Sequence, residues 1–361
     1  MKGIFLSHHD GFINIMSENF KALPGVGLEI VRQPFNLPIG FEARDKLLPL
    51  LPVANQLSET GFPEGVNIAN LRNEFQSEWN RIKNIYINDY KKLCDWSSLD
   101  YVIIGLGAFN YDIIRSIRPD IPIIYYPRMF TVYWENLYIN ADDPKFTYVI
   151  HDEEMEKYPF PANNKKFIMS SLNPEVYHSW TGEINEVATI FHNLDLTVFE
   201  EINEEFKTRN IDWLNKRRVP ENSYPKIIDD IPHQLFGVTV KPGWMGAKLI
   251  PPHDIHKEIR KYRCCLIYSR VFSAIATAQL LATGVPSVGF VTDDNELHKL
   301  NGDAISISRN IDECKELINR FIDDYSYARD ISIKTREAYY KRHNWEMWKT
   351  QWTELIHSVV N

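Results

Sequence analysis

Cysteine is scarce in this chain, and a long apolar run is missing from it. Only four cysteines occur among 361 residues, and none lies in the spacing of a zinc site, which makes free thiols the expectation. No stretch of about 18 uncharged apolar residues is present, so the sequence predicts no transmembrane helix. Residues 1–6 read as a strand instead of a signal-peptide core, and a cytoplasmic location is therefore expected.

Positive charge is also in short supply. The chain carries 40 lysine and arginine residues against 48 aspartate and glutamate residues, a net charge of -8. This balance argues against a broad nucleic-acid-binding surface, because such surfaces are basic, although a local basic cleft is compatible with it. No Asp-x-Asp motif stands in a metal-binding context, so no obligatory metal is expected.

Alternating apolar runs and helical patterns fill the rest of the sequence. A hydrophobic fraction of 44% with 24% charged residues is typical of a globular protein, and the length allows two separate cores. Short runs rich in strand-forming residues, each followed by a helical pattern, predict parallel strands of the doubly wound α/β class. The predicted strands cover residues 3–6, 100–107, 121–126, 146–150, 187–191, 235–240, 264–268 and 287–291.

The segment 268–290 carries the clearest chemical pattern. A predicted buried strand at 264–268 leads into a helix at 273–283, and the helix ends at Gly284, a residue type common at helix ends. A strand that enters a helix N-terminus presents N–H groups at the carboxyl edge of the sheet, where a diphosphate binds well. Arg270 adds a forked cation suited to phosphate oxygens. In the alternative, this is one more ordinary strand–helix unit with Arg270 in solvent.

The exit of this helix points to a known family. Gly284, Val285 and Pro286 follow a helix in which Gln279 lies five positions before the glycine. The arrangement resembles the signature of group-one, retaining-type glycosyltransferases of the GT-B fold, whose helix carries Glu-Ala-Met-Ala-x-Gly-x-Pro. Gln279 stands where the family has a ribose-binding glutamate, and Val271 stands where it has an earlier glutamate. An amide can still bond a hydroxyl, but without the strength of a carboxylate.

The resemblance implies a two-domain architecture and the residue bounds of each domain. It implies two doubly wound, Rossmann-like domains that face each other across a cleft. The expected limits are an acceptor-binding domain at 1–176, a nucleotide-sugar-binding domain at 177–340, and a C-terminal helix at 341–361 that packs back on the first domain. Three tryptophans of that helix share one face by their spacing, and packing is their expected role, at positions 345, 348 and 352.

The resemblance also implies which residues bind the donor. The candidates are Arg270, Phe272, Ser273, Gln279, Lys241 and His192. Arg270 and the backbone at 272–273 would hold the leaving diphosphate, and Gln279 would contact the ribose. Lys241 would replace the phosphate-binding lysine of the family, and in the alternative it is an exposed loop residue. Residues 251–259 resemble the family segment that packs under the nucleotide base, with Asp254 as the N-cap of the helix that follows.

Two strand ends in the first half supply candidates for the acceptor side. His9 and Asp10 follow the strand at 3–6, and His151 follows the strand at 146–150. Ligands gather at the carboxyl edge of parallel sheets, so these side chains are expected at the acceptor. Asp10 is the candidate base that an inverting enzyme needs, whereas retaining enzymes of the resembling family often use the leaving phosphate. In the alternative, Asp10 caps a helix and His9 is a turn residue.

The activity implied by the resemblance is sugar transfer from a nucleotide-sugar donor, with a UDP-sugar as the first expectation, to an acceptor hydroxyl. A glycan, a lipid-linked sugar, a protein or a modified nucleobase would each suit an acidic two-domain chain as acceptor. Two alternatives stay open. A nucleotide-sugar epimerase would bind the same donor and need no acceptor, and a degenerate binding module would keep the fold after losing the two family glutamates.

Overall fold

The chain forms two compact units in the computed structural model. One unit, called unit 1 below, comprises residues 1–170 and 346–361, and the other, unit 2, comprises residues 171–345. The predicted limits at 176 and 340, for an acceptor-binding domain, a nucleotide-sugar-binding domain and a C-terminal helix, stay predictions. The structure describes residues 1–7, 10–32, 68–105, 107–127, 138–140, 142–151, 163–191, 223–237, 248–251, 253–267, 275–290, 305–308 and 310–361.

Strands and helices alternate along both units. The described strands are β1 (Lys2–Ser7), β2 (Gly27–Arg32), β3 (Tyr101–Ile104), β4 (Ile123–Tyr125), β5 (Phe146–Ile150), β6 (Lys165–Phe167), β7 (Ile184–Phe191), β8 (His233–Gly237), β9 (Lys248–Leu249), β10 (Tyr262–Ile267), β11 (Ser287–Phe290) and β12 (Ser306–Ser308). The described α-helices are α1 (Asp10–Lys21), α2 (Ile68–Tyr90), α3 (Phe109–Ile117), α4 (Ser223–Ile228), α5 (Ile255–Ile259), α6 (Ile275–Thr283), α7 (Ile311–Asp323), α8 (Tyr325–Arg342) and α9 (Trp345–Val360).

Each unit contains a six-stranded sheet whose neighbouring strands run parallel. The order is β2-β1-β3-β4-β5-β6 in unit 1 and β12-β11-β10-β7-β8-β9 in unit 2. Every strand predicted from the sequence has a counterpart in these sheets, and the doubly wound α/β prediction is confirmed. Strands β3, β4 and β5 are buried along their whole length. Their apolar composition follows from this burial, because a parallel sheet covered by helices needs apolar side chains on both faces.

The C-terminal helix packs in unit 1, as the sequence predicts. Trp348 and Trp352 of α9 are 1% and 0% exposed. The ring of Trp352 lies edge-on to Phe20 of α1, at 4.9 Å between centroids, and 5.1 Å from Tyr126, which follows β4. Trp345 is buried as well. All three are therefore buried packing residues, and the aromatic contacts of Trp348 and Trp352 stabilise the packing of α9 in unit 1.

All four cysteines are free thiols, which confirms the prediction. Cys264, Cys265 and Cys314 are buried in unit 2, and Cys94 of unit 1 is half-buried. Burial raises the pKa of Cys314 to about 12 and that of Cys94 to about 11. A thiol with a raised pKa holds its proton at neutral pH and is a poor nucleophile, so these side chains serve as small apolar groups.

Candidate functional site

The strand order of unit 2 reverses between β7 and β10. From β7 the sheet grows through β8 to β9 on one side, and through β10 to β12 on the other. In open parallel sheets, the carboxyl ends at such a reversal leave a crevice where ligands bind. Here these ends are Phe191 and Ile267. The predicted donor-binding residues that lie outside the described part of the chain are His192, Lys241, Arg270, Phe272 and Ser273.

Gln279, the remaining predicted donor-binding residue, lies on α6, the next helix after β10. Its side chain is fully buried. The amide oxygen Oε1 lies 3.3 Å from the backbone nitrogen of His256 and 3.1 Å from its ring nitrogen Nδ1. His256 belongs to the short helix α5 and is 3% exposed. The sequence pattern indicated Gln279 but missed His256, because the two residues meet only through the packing of α5 on α6.

The hydrogen bonds of this pair fix the chemical state of both groups. A backbone N–H can only donate, so the atom of Gln279 that faces α5 is the carbonyl oxygen. The ring nitrogen that shares this oxygen must then carry a hydrogen, which assigns the Nδ1–H form to His256. Burial lowers the pKa of His256, while the bond to Gln279 raises it in part. The pair is therefore neutral at neutral pH.

Tyr177 and Arg336 support the same part of unit 2. The Tyr177 ring is buried, with its centroid 4.5 Å from that of His256. Arg336 of α8 donates from Nη1 to the carbonyl of Tyr177 at 2.7 Å and also to the carbonyl of Ala282 in α6. One guanidinium thus connects the segment that carries Tyr177 with the end of α6.

The glycine at the end of α6 is required by the backbone. Gly284 has φ +78°, and its N–H and that of Val285 donate to the carbonyls of Leu281 and Leu280 at 3.0 and 2.9 Å. These two bonds close a left-handed helix terminus of the Schellman type. A Cβ at position 284 would lie 2.7 Å from the carbonyl oxygen of Ser332 in α8. The most specific residue of the sequence motif therefore serves the fold, because it lets two helices approach closely.

Asp254 lies at the N-cap position of α5 but does not cap it. Its side chain makes no capping hydrogen bond. The carboxylate accepts instead from Lys257 at 2.6 Å, and His253 lies 3.5 Å away. The hydrogen bond from Lys257 holds the pKa of Asp254 below its ordinary value. The predicted side-chain cap is wrong because the ammonium group one turn along competes for the carboxylate.

The strand order of unit 1 reverses between β1 and β3, and the acceptor-side candidates follow strands of this sheet. Asp10 is the first residue of α1, three positions after Ser7 at the end of β1, and His9 lies outside the described residues. His151 follows β5, is 9% exposed, and has its ring 5.3 Å from that of Tyr126. Three strand spacings separate β1 from β5, on the order of 14 Å. Asp10 and His151 therefore follow strands that are well separated in the sheet.

A groove of about 410 Å³ opens elsewhere in unit 1. It is lined in part by Pro119 and Pro144, which precede β4 and β5, so it lies at the amino edge of the sheet. Arg115 in its wall is bound to Asp143 at 2.6 Å and to the carbonyl of Lys145 at 3.1 Å. These internal bonds give the wall a structural role.

Among the described residues, no three His, Cys, Asp or Glu side chains are grouped so that they could hold a metal ion. No helix of the described ranges has the length and apolar character to cross a membrane.

Solved structures match the chain in fold alone. No family model and no curated protein matches it. Sucrose-phosphate synthase from Thermosynechococcus elongatus aligns with a TM-score of 0.55 at 10% identity, over 99% of each chain. A mutant of S. aureus TarM, in complex with Fondaparinux, alpha-GlcNAc-glycerol and UDP, aligns with a TM-score of 0.56 at 9% identity, over 99% of this chain and 100% of that chain. The chain has the GT-B fold, as the resemblance implied.

Proposed function

We propose that the chain is a glycosyltransferase that moves a sugar from a nucleotide-sugar donor to an acceptor hydroxyl. The observation that carries this proposal is the reversal of strand order between β7 and β10, followed by a helix with a fixed polar residue, in a chain of GT-B fold. A UDP-sugar is the proposed donor, and UDP in the complex of S. aureus TarM supports it. The acceptor class is a glycan, a lipid-linked sugar, a protein or a modified nucleobase.

Unit 2 is the proposed donor side. Arg270 and the backbone at 272–273, which precede the N-terminus of α6, would stabilise the leaving diphosphate as the bond between its oxygen and the sugar's anomeric carbon breaks. Gln279 would contact the ribose, and His192 and Lys241 would face the phosphates. None of these roles needs a metal, since helix N–H groups and a guanidinium carry the positive potential.

Unit 1 is the proposed acceptor side. The acceptor oxygen forms the new bond to the anomeric carbon and gives up its proton as the old bond breaks. In an inverting reaction Asp10 would take that proton, and in a retaining reaction the leaving phosphate would take it. His9 and His151 would orient the acceptor. The two reactions differ in their dependence on Asp10, so the Asp10→Asn variant separates them: a loss of about 1000-fold in kcat fits the inverting reaction.

A thermal-shift panel of UDP, GDP, ADP, CMP and dTDP tests the donor site. A nucleotide at about 100 times its Kd should stabilise the fold by about 2.7 kcal/mol, which raises Tm by about 2–4 °C for a protein of this size. We expect the shift with UDP, and we expect the Arg270→Ala variant to lose it. If none of the five nucleotides changes Tm, the donor-site assignment is wrong.

Turnover separates the proposal from the other activities that the same site could support. Release of UDP from a UDP-sugar in the presence of an acceptor, with a glycosylated product, supports transfer. Interconversion of one UDP-sugar into another without an acceptor identifies an epimerase instead. Nucleotide binding without either product identifies a binding module.

A further inference from the structure

One exposed face of α2 in unit 1 consists almost entirely of uncharged amide side chains. Consecutive residues of a helix lie about 100° apart, so residues within a sector of about 120° share one face. The exposed polar residues in this sector are Asn73, Gln76, Ser77, Asn80, Asn84 and Asn88. We call this set the amide face. No charged residue of the described helix falls in the sector, and Glu74 and Arg81 lie just outside it.

The residue types of the amide face are not those that helix formation favours. Asparagine is a poor helix former, because its side chain competes for backbone hydrogen bonds. Exposed helix positions commonly carry better helix formers, since packing does not restrict the choice there. The opposite side of α2 follows packing, with Phe75 and Trp79 1% and 0% exposed. The four asparagines of the amide face therefore lower helix propensity without any gain in burial, a pattern expected at functional positions.

The beginning of α2 extends past the carboxyl edge of the sheet in unit 1. Trp79 of α2 contacts Phe109, the first residue of α3, with ring centroids 6.4 Å apart. Near the helix ends, the Trp96 indole donates to the Tyr90 carbonyl at 2.7 Å, and Arg118 donates to the Trp96 carbonyl. The two helices therefore run in the same direction. Because α3 starts beyond the carboxyl end of β3, the part of α2 that precedes Trp79, about 16 Å long, extends beyond this edge.

The chemistry of the amide face suits a partner that has many hydroxyls and no charge. An amide offers N–H donors beside a carbonyl acceptor, and a sugar hydroxyl both donates and accepts. Gln76 donates from Nε2 to Oδ1 of Asn80 at 3.2 Å, which occupies one end of each amide and orders the pair. Members of the face recur about once per turn, every 5.4 Å or so along the axis, which suits an extended chain of similar units. An anionic polymer would need cations, and the amide face has none.

We propose that the amide face of α2 binds an uncharged glycan chain, which is the acceptor of the proposed reaction. The inference rests on the proposed function and selects the glycan among its acceptor classes. The chain lies along α2 and reaches the carboxyl edge of the sheet, where Asp10 and His151 follow their strands. The amide face holds the glycan and contributes no group to the reaction. Its loss should therefore raise the KM for the acceptor and leave kcat nearly unchanged.

Alanine substitutions on the amide face test the proposal. The neutral probes are maltoheptaose, chitohexaose and mannohexaose, and a hyaluronan oligosaccharide is the acidic probe. We expect the wild-type chain to bind at least one neutral probe, with a Kd from calorimetry that does not change with salt. The triple variant Asn73→Ala, Asn80→Ala, Asn84→Ala should raise this Kd by about ten-fold or more. Its Tm should not fall, because alanine is the better helix former, so unfolding would not explain the weaker binding.

Two matched controls separate the amide groups from the helix that carries them. Glutamine in place of the same three asparagines keeps an amide at each position, and the Kd should stay within about three-fold of wild type. The double variant Glu74→Ala, Arg81→Ala changes two exposed residues of α2 outside the amide face. Its Kd for the neutral probe should stay within about two-fold of wild type.

The outcomes distinguish this inference from the function on which it rests. A wild-type chain that binds UDP but none of the neutral probes overturns the glycan surface and leaves the donor site intact. Equal affinities in wild type and the triple alanine variant overturn it as well, and so does a preference for the hyaluronan probe with a salt-dependent Kd. Glycan binding that requires the amide face, without binding of any nucleoside diphosphate, supports the surface and contradicts the transferase.

Discussion

Both units contain a six-stranded parallel sheet. The residues at the carboxyl edge of that sheet make different kinds of contact in unit 1 and in unit 2. In unit 1 the edge is packed with rings, where Trp352 contacts Phe20 and Tyr126, and Tyr126 contacts His151. In unit 2 the helix after β10 is held by directed hydrogen bonds, with His256 on Gln279 and Arg336 on backbone carbonyls. Ring packing sets shape, whereas hydrogen bonds set the direction of polar groups. This difference supports our proposal that unit 2 is the side that recognises the hydroxyls of a nucleotide.

Truncation of the aromatic packing in unit 1 should have the greatest effect on stability. Trp352→Ala removes a fully buried indole that contacts two other rings, and we expect a loss of about 4 kcal/mol in the free energy of unfolding. Denaturant unfolding, with the transitions of the units followed separately, measures it. Met347→Ala, on an exposed part of the same helix, should change little. Equal losses in the two variants would contradict the packing role of α9.

A substitution at the C-terminus of α6, in unit 2, should lower the free energy of unfolding nearly as much. Gly284→Ala places a Cβ 2.7 Å from the Ser332 carbonyl at a positive φ, and we expect it to cost about 3 kcal/mol. Gly25→Ala is the matched control, because Gly25 has φ +70° with no atom within 4 Å of an added Cβ, so only about 1 kcal/mol is expected. If both substitutions lowered the free energy of unfolding by a similar amount, α6 and α8 would separate easily. That result would contradict the close packing of these two helices in unit 2.

The guanidinium of Arg336 should stabilise unit 2 through the hydrogen bonds that it donates. Arg336→Met keeps much of the apolar stem and loses the bonds to the carbonyls of Tyr177 and Ala282, and we expect about 2 kcal/mol of destabilisation. Arg329→Met, at an exposed position of the same helix, is the control. Arg336→Met should also weaken UDP binding, measured by calorimetry, because Tyr177 supports His256. If Arg336→Met is destabilised but binds UDP as tightly as wild type, Arg336 does not support the candidate site.

A fall in pH should lower the stability of unit 2 through His256. We expect this effect to be the smallest of the four predicted here. Its pKa in the folded chain is lowered from the ordinary 6.5 by burial, so the unfolded chain binds the proton more readily. The contribution to stability is complete above 6.5 and is lost as the pH falls below 6.5 toward the lowered value. The stability advantage of wild type over His256→Asn should shrink across that window in denaturant titrations. An advantage that stays constant or grows on acidification would contradict a neutral buried histidine.

The sequence predicts the central strands and misses several edge strands for a physical reason. Strands such as β3 and β5 are buried on both faces, so burial imposes an apolar run that can be read directly. The edge strands β6 and β9 comprise three and two residues, all exposed, and leave no such run. The sequence also locates Gly284, because a left-handed helix end needs that residue type.

The candidate site is only partly predictable because its contacts are tertiary. Gln279 is found by its position in a helix motif, but its partner His256 lies 23 residues earlier and is fixed by helix packing. Asp254 has the residue type of an N-cap, yet Lys257 takes its carboxylate. Local patterns report backbone needs, whereas the pairing of polar side chains depends on neighbours that no local pattern specifies.

Hydrogen–deuterium exchange with and without saturating UDP tests the central claim, that unit 2 binds the nucleotide at the reversal of its sheet. We predict slower exchange in peptides that cover residues 255–283, which include α5, β10 and α6, and unchanged exchange in residues 101–117 of unit 1. Loss of this protection in Arg270→Ala would support the claim further. Protection confined to residues 101–117, or no protection in either segment, would contradict it.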